Sequence, residues 1–120
     1  DIGVWYSRGM TTGYHGTGPT ATAYIGFCLT NDDIAARNYA MHNDATPMVH
    51  DVTIDTDTLD VVEVDYDYDS CVPVLTGCTA DIAEYIDSDE CGRTHRTWML
   101  LTPAAVAATI IGSATPADEV

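Results

Sequence analysis

Lysine is absent from this chain, and its four arginines are outnumbered by 15 aspartates and four glutamates, so that the formal net charge is −15. Binding to the phosphate backbone of a nucleic acid requires a basic patch. The composition therefore predicts no direct contact with such a backbone. A free nucleotide is a different case, because one arginine and a few backbone amides are enough to hold a diphosphate.

Long apolar runs are also missing. No segment approaches the ~18 apolar residues of a membrane span, so the sequence predicts no membrane partner. The four cysteines form no Cys-x-x-Cys pair, which argues against a zinc site. Cys28 lies in an apolar segment and is predicted to be a core residue. In an oxidising compartment a disulfide would join Cys71 to Cys78 or Cys78 to Cys91, and the sequence leaves both alternatives open.

What the chain does contain indicates one folded domain over residues 1–120. Hydrophobic residues make up 46% of it, and its seven tyrosines and two tryptophans distinguish it from a disordered acidic chain. The many carboxylates indicate adaptation to concentrated salt, which screens their mutual repulsion. We therefore expect the source to be a halophilic microbe or its virus, and the location to be the cytoplasm of the halophile or the virion.

The acidic run at residues 65–69 begins like a calcium-binding loop. Ser70 stands where such a loop needs a glycine, and Thr76 stands where it needs a bidentate glutamate. The run is therefore predicted to be an exposed acidic face or sheet edge, and no metal site is predicted.

The pattern of apolar and turn-forming residues predicts more strands than helices. Residues 9–19 are predicted to be a loop, because five of them are glycine or proline. One helix is predicted to follow a cap at Asn31 or Asp32, and a second to follow a cap at Thr79 and end near residue 86. The predicted strands are residues 4–8, 23–30, 48–54 and 98–101, with 59–64 and 106–111 compatible with a strand or a helical turn.

This order of elements predicts the α+β class. Because strands outnumber helices, we expect two small packed β-sheets with two or three short helices at their edges.

The segment from Gly26 to Ala40 reads Gly-aromatic-x-Leu-Thr-x-Asp followed by Ala-x-x-Tyr-Ala. This pattern resembles the second motif of the ADP-ribosyltransferase superfamily, in which a strand and the following helix enclose the nicotinamide of NAD. The resemblance implies that Tyr39 stacks on nicotinamide, a flat and electron-poor ring, and that Thr30 lines the pocket. Cys28 and Thr30 stand where family members often carry a second tyrosine or a small hydroxyl residue.

The family's first motif holds a ribose hydroxyl or a phosphate of NAD, and it is Arg-Gly in one branch and His-Gly-Thr in the other. Arg8-Gly9 matches the first form, and His15-Gly16-Thr17 matches the second. Residues 18–25 are too few for the helix that usually follows the second form, so Arg8-Gly9 is the preferred match. His15 is then expected on a loop that covers the ligand.

The family's third motif is incomplete in this chain. Family members carry a catalytic glutamate just before a late apolar strand, where it orients a ribose hydroxyl and stabilises the positive charge that grows as nicotinamide leaves. Thr97 occupies that place, and Glu90 is the nearest glutamate. Three alternatives stay open: a transferase that uses Glu90, one that acts without a glutamate, and a pocket that binds NAD without catalysis.

The resemblance thus implies a domain that binds NAD and transfers ADP-ribose to an acceptor that the sequence does not identify. The expected catalytic residues are Arg8 and Glu90, and the expected NAD-binding residues are Arg8, Gly9, His15, Thr30 and Tyr39. The alternative is a non-catalytic structural or assembly protein, such as a virion or surface module. A homo-oligomer is compatible with either function.

Overall fold

Strands dominate the fold of this chain. The computed structural model describes residues 9–88 and 92–120. Within these ranges the α+β class is confirmed, with two sheets and two α-helices. The elements are β1 (Met10–Thr17), β2 (Cys28–Thr30), α1 (Asp33–Asn43), β3 (Met48–Asp55), β4 (Val61–Glu63), β5 (Tyr66–Asp67), β6 (Val72–Pro73), β7 (Ile82–Ser88), β8 (Thr94–Leu100), α2 (Pro103–Ala107), β9 (Thr109–Pro116) and a 3-10 turn (Ala117–Glu119).

The two sheets are unequal in size, unlike the two small sheets that the sequence predicted. Seven strands form the larger sheet in the order β4-β7-β8-β2-β1-β3-β9, and β5 pairs with β6 alone. All neighbours in the large sheet are antiparallel except β4 and β7. The short strand β2 joins the two halves of the large sheet, because it pairs with β8 on one side and with β1 on the other.

Helix α1 packs on one face of the large sheet, and Ala105 of the short helix α2 packs into the cluster on the other face. The cluster under α2 contains the largest buried side chains of the described chain, and the cluster under α1 is built from small residues. Val49 and Val52 belong to different clusters and are three residues apart on β3, which places them on opposite faces of the sheet. The α2 cluster consists of Phe27, Leu29, Val52, Ile54, Ile82, Leu100 and Ala105, and the α1 cluster of Ala36, Ala40, Val49 and Ala117.

Strand β1 lies where the sequence predicted a loop. The glycines that suggested a loop serve close packing instead. A Cβ atom on Gly13 would lie 2.6 Å from the backbone oxygen of Thr30, and one on Gly16 would lie 2.0 Å from the backbone oxygen of Ala36. The predicted strand at residues 4–8 lies outside the described residues.

Strand β7 replaces the helix predicted after Thr79. Its residues Ile82, Tyr85 and Ile86 are β-branched or aromatic, and β4 and β8 pair with it on either side. Tertiary pairing therefore prevailed over a local capping signal. The strand predicted at residues 23–30 is shorter than expected, since only Cys28–Thr30 are extended.

The helix predicted after Asn31 or Asp32 is confirmed as α1, with Asp32 as its cap. The Asp32 carboxylate accepts hydrogen bonds from the backbone N–H groups of Ile34 (2.9 Å) and Ala35 (3.3 Å), and it pairs with Arg93. Burial raises the pKa of Asp32, but these bonds outweigh burial and hold the pKa below its ordinary value. The cap therefore stays charged at neutral pH.

The cysteines that the structure describes are free thiols, Cys71 and Cys78 among them, so the structure contains neither predicted disulfide, because both require Cys78. Cys91, which the second alternative requires, lies outside the described residues. Within the described ranges no helix is long and apolar enough to cross a bilayer. The same ranges bring together no group of three or more His, Cys, Asp or Glu side chains that could hold a metal ion.

Candidate functional site

A cavity of about 530 Å³ opens where β1 and β2 separate. The two strands pair at one position, where Tyr14 lies opposite Thr30. If the ladder continued, Gly16 would lie opposite Cys28, and both of these residues line the cavity instead. Helix α1 forms another wall through Ala36 and its neighbours. The volume lies within the range of small-molecule sites, roughly 300–1,000 Å³.

One row of side chains crosses the floor of the cavity. Residues directly opposite each other in a sheet share a face. Tyr14 is opposite Thr30, Thr30 is opposite Thr97, and Thr97 is opposite Tyr85. The next pair of β7 and β8 on this face is Asp87 with His95, and all of these side chains line the cavity.

Aromatic rings surround the cavity. Five of the seven tyrosines line it. Tyr66 stacks on Tyr85 with their centroids 5.5 Å apart and their planes 11° from parallel, so the β5–β6 hairpin holds one wall against β7. The other rings are those of Tyr14, Tyr24 and Tyr39. Flat, apolar faces in such number suit a planar ligand.

His15 is fixed at the point where the strands separate. Its Nδ1 lies 2.5 Å from the backbone oxygen of Cys28, and its ring stacks on Phe27 with a centroid distance of 3.9 Å. Since a carbonyl oxygen only accepts, Nδ1 carries the proton. Burial is the main cause that lowers the pKa of His15 below its ordinary value, so the imidazole is neutral at pH 7.

His95 is held by two hydroxyl groups on the cavity floor. Its Nδ1 lies 2.8 Å from Oγ1 of Thr30 and 3.1 Å from Oγ1 of Thr97. Cys28 makes a weaker contact, with Sγ 3.7 Å from the Tyr85 hydroxyl. Burial raises the pKa of the Cys28 thiol, which makes it a poor nucleophile at neutral pH. The floor therefore offers hydroxyl and imidazole groups that hydrogen-bond a ligand.

Three of the residues predicted from the sequence meet in this cavity: His15, Thr30 and Tyr39. Tyr39 is 53% exposed. His15 lies on β1 rather than on the covering loop that was expected. Gly9 is not among the cavity-lining residues. It precedes β1, six residues from His15, which is about 20 Å along a strand. The preferred match of Arg8-Gly9 to the first motif stays a prediction, because Arg8 lies outside the described residues.

The other two predicted residues, Arg8 and Glu90, lie outside the described residues. Sequence reasoning missed the contributions of Tyr66, Tyr85, Asp87 and His95. The spacing of Tyr85 and Asp87 by two residues was a signal, because alternate residues of a strand share one face. It was overlooked because this segment was predicted to be a helix.

Comparison with family models, with curated proteins and with solved structures gave no significant match.

Proposed function

We propose that this cavity binds the nicotinamide end of NAD and that the protein is an ADP-ribosyltransferase-like domain. The observation that carries the proposal is the position of Tyr39. Its ring lines the cavity, is half exposed, and shares the cavity with His15 and Thr30. A planar ring bound there stacks on Tyr39 and lies within reach of the hydrogen-bonding groups of the floor.

In this proposal His15-Gly16-Thr17, rather than Arg8-Gly9, corresponds to the family's first motif. His15 and Gly16 line the cavity, and Gly16 lets α1 approach β1 closely enough to form a wall. In the described ranges no arginine lines the cavity. The diphosphate of NAD is therefore expected to lie outside it, with the nicotinamide inside.

The proposed reaction breaks the bond between the pyridinium nitrogen and C1′ of the ribose. The electron pair leaves with neutral nicotinamide, and positive charge grows on the sugar. A lone pair of the acceptor then forms the new bond to C1′, and the acceptor proton passes to solvent. Thr97, which the resemblance aligns with the family's glutamate, is buried and carries no charge, so a carboxylate that assists this step has to come from another residue.

Calorimetric titration with NAD in molar potassium chloride tests the proposal. We expect saturable heat, a raised melting temperature, and competition by free nicotinamide. ADP-ribose, which lacks the nicotinamide ring, is expected to bind more weakly. Release of nicotinamide, followed by NMR, separates a transferase from a domain that only binds. No heat and no stabilisation with NAD or with nicotinamide would overturn the proposal.

Strand β9 favours a second candidate, an assembly module that pairs with a copy of itself. It is an edge of the described large sheet, and residues 97–117 carry no charged side chain in a chain of net charge −15. Natural edge strands usually carry charges that prevent pairing. Ile110 on β9 is 65% exposed.

Sedimentation at several protein concentrations tests the second candidate. Pairing through β9 predicts a dimer that Ile110→Glu converts to a monomer, because like charges then meet at the interface. Met41→Glu, on the exposed side of α1, is the matched control and should leave the dimer intact. A monomer at all concentrations contradicts this function.

A further inference from the structure

We propose that Asp87 is the carboxylate that this cavity places against positive charge on its ligand, so that the cavity prefers a cationic nicotinamide ring to a neutral one. The inference rests on the proposed function, which names the ligand but not the residue that meets its charge. Asp87 is a half-buried residue of β7 that lines the cavity.

One backbone hydrogen bond holds the Asp87 carboxylate, and the Tyr66 hydroxyl is its neighbour. The backbone N–H of Ser88 donates to Oδ1 of Asp87 over 2.6 Å. After burial, the nearby Asp87 carboxylate is a cause that raises the pKa of Tyr66, and Tyr66 is itself positioned by its stacking on Tyr85. The backbone hydrogen bond limits the orientations of the carboxylate, which is what a charged binding group requires.

The surroundings of Asp87 favour a cation. Five tyrosine rings line the cavity, and the face of an aromatic ring attracts positive charge. Among the described lining residues there is no arginine, and the chain contains no lysine. A neutral ring gains the same stacking as a cationic ring but none of this attraction, so the charge of the ligand decides between them.

Asp87 is also close to the place where the family's glutamate is missing. Thr97 lies opposite Tyr85, and Asp87 is two residues further along β7, on the same face. Such diagonal neighbours are about 7–8 Å apart. A carboxylate at this position is near a ring bound on the cavity floor, and it supplies the negative charge that Thr97 lacks.

The test compares two small ligands of nearly the same shape. 1-Methylnicotinamide, which is methylated on the ring nitrogen, carries the fixed positive charge of the NAD ring, and nicotinamide is neutral. Their dissociation constants are measured by calorimetry at ~0.3 M potassium chloride for the wild type and for Asp87→Asn, Asp87→Glu and Asp118→Asn. Asp118 is exposed, and its variant loses the same unit of net charge away from the cavity.

We expect the wild type and Asp118→Asn to prefer the cation by about fivefold or more, as one nearby charge in a partly solvated site predicts. Asp87→Asn should lose this preference while still binding nicotinamide, and Asp87→Glu should keep most of it. Retained binding of nicotinamide by Asp87→Asn shows that the variant is folded.

Two results overturn the inference and leave the proposed function standing. One is equal binding of both ligands by the wild type, and the other is a preference that Asp87→Asn keeps in full. Failure of NAD and of both small ligands to bind the wild type is a separate result, and it overturns the proposed function together with the inference.

Discussion

Tyr39 and Tyr85 line the same cavity but differ in what their rings can do. Tyr85 is 3% exposed, and its ring is already stacked on Tyr66. Burial is the main cause that raises its pKa, so its hydroxyl stays protonated. Tyr39 lines the cavity and is 53% exposed, so a ligand can reach its side chain. At the scale of single residues, exposure separates a supporting ring from a binding ring.

Replacing Tyr39 with alanine should weaken NAD binding by about three- to tenfold, the value of one aromatic pair. Tyr39→Phe keeps the ring and should bind almost as well as the wild type. Because the side chain is half exposed, neither change should alter the melting temperature much. Met41→Ala is the matched control, since Met41 is equally exposed on α1 and does not line the cavity. The affinity of each variant for NAD is measured by calorimetry. If Tyr39→Ala binds NAD as tightly as the wild type, Tyr39 does not stack on the ligand.

The second residue-scale prediction concerns the protonation of His15. The pKa of His15 is lowered in the folded protein. Between that lowered pKa and the ordinary histidine value of about 6.5, the unfolded chain therefore binds more protons than the folded chain. The stabilisation due to neutral His15 is therefore present above pH ~6.5 and is lost as the pH falls through this window. NMR titration of the His15 ring should give a pKa below that of an exposed histidine.

His15→Asn is the control for this pH dependence, because an amide keeps a donor toward the Cys28 oxygen and does not titrate. The difference in unfolding free energy between wild type and variant should shrink from pH 7 to pH 5. Both proteins share the titration of all other groups, which cancels in the difference. A difference that stays constant would mean that His15 keeps an ordinary pKa.

At the scale of elements, the contact between β1 and α1 builds the cavity. Both partners use small side chains there: Gly16 on the strand, and Ala36 and Ala40 on the helix. The Asp32 cap fixes where the helix begins, and seven residues later the helix presents Tyr39 to the cavity. The position of the binding ring therefore depends on how closely the helix lies on the strand.

Gly16→Ala should damage this contact, because the new Cβ would lie 2.0 Å from the backbone oxygen of Ala36. Helix α1 has to move away, and we expect the unfolding free energy to fall by about 1–3 kcal/mol, as overpacking usually costs. Gly112→Ala on β9 is the control, since its Cβ would meet nothing closer than 3.4 Å. Denaturant unfolding in molar salt measures both, and equal stability of the two variants would contradict the described packing.

At the scale of the whole molecule, sequence reasoning succeeded where a local signal agreed with the final fold. The Asp32 cap and the alternating residues of β3 are examples, since each is decided within a few residues. It failed where long-range pairing overrode local signals. The glycines of β1 predicted a loop, but they pair with β3 and allow close packing against α1. The segment of β7 was predicted to be a helix, but it pairs with β8 as a strand. The cavity is lined by segments that were predicted correctly and by segments that were not. Of its lining residues, the sequence therefore predicted only Tyr39, Thr30 and His15 as site residues.

The net charge of −15 leads to the last prediction, which concerns the stability of the whole fold. Like charges on a compact chain repel each other, and salt shortens the range of that repulsion from ~30 Å at 0.01 M to ~3 Å at 1 M. The melting temperature should therefore rise steeply with potassium chloride at pH 7. Each 1 kcal/mol of relieved repulsion raises it by about 4 °C in a domain of this size.

Repeating the salt titration near pH 4, close to the isoelectric point of about 4.1, separates screening from other effects of salt. The net charge is then small, so the dependence on salt between 0.01 and ~0.5 M should largely disappear. Effects of salt on apolar surface do not depend on net charge and would persist at this pH. Equal slopes at the two pH values would show that burial of apolar surface, and not charge repulsion, makes this fold sensitive to salt.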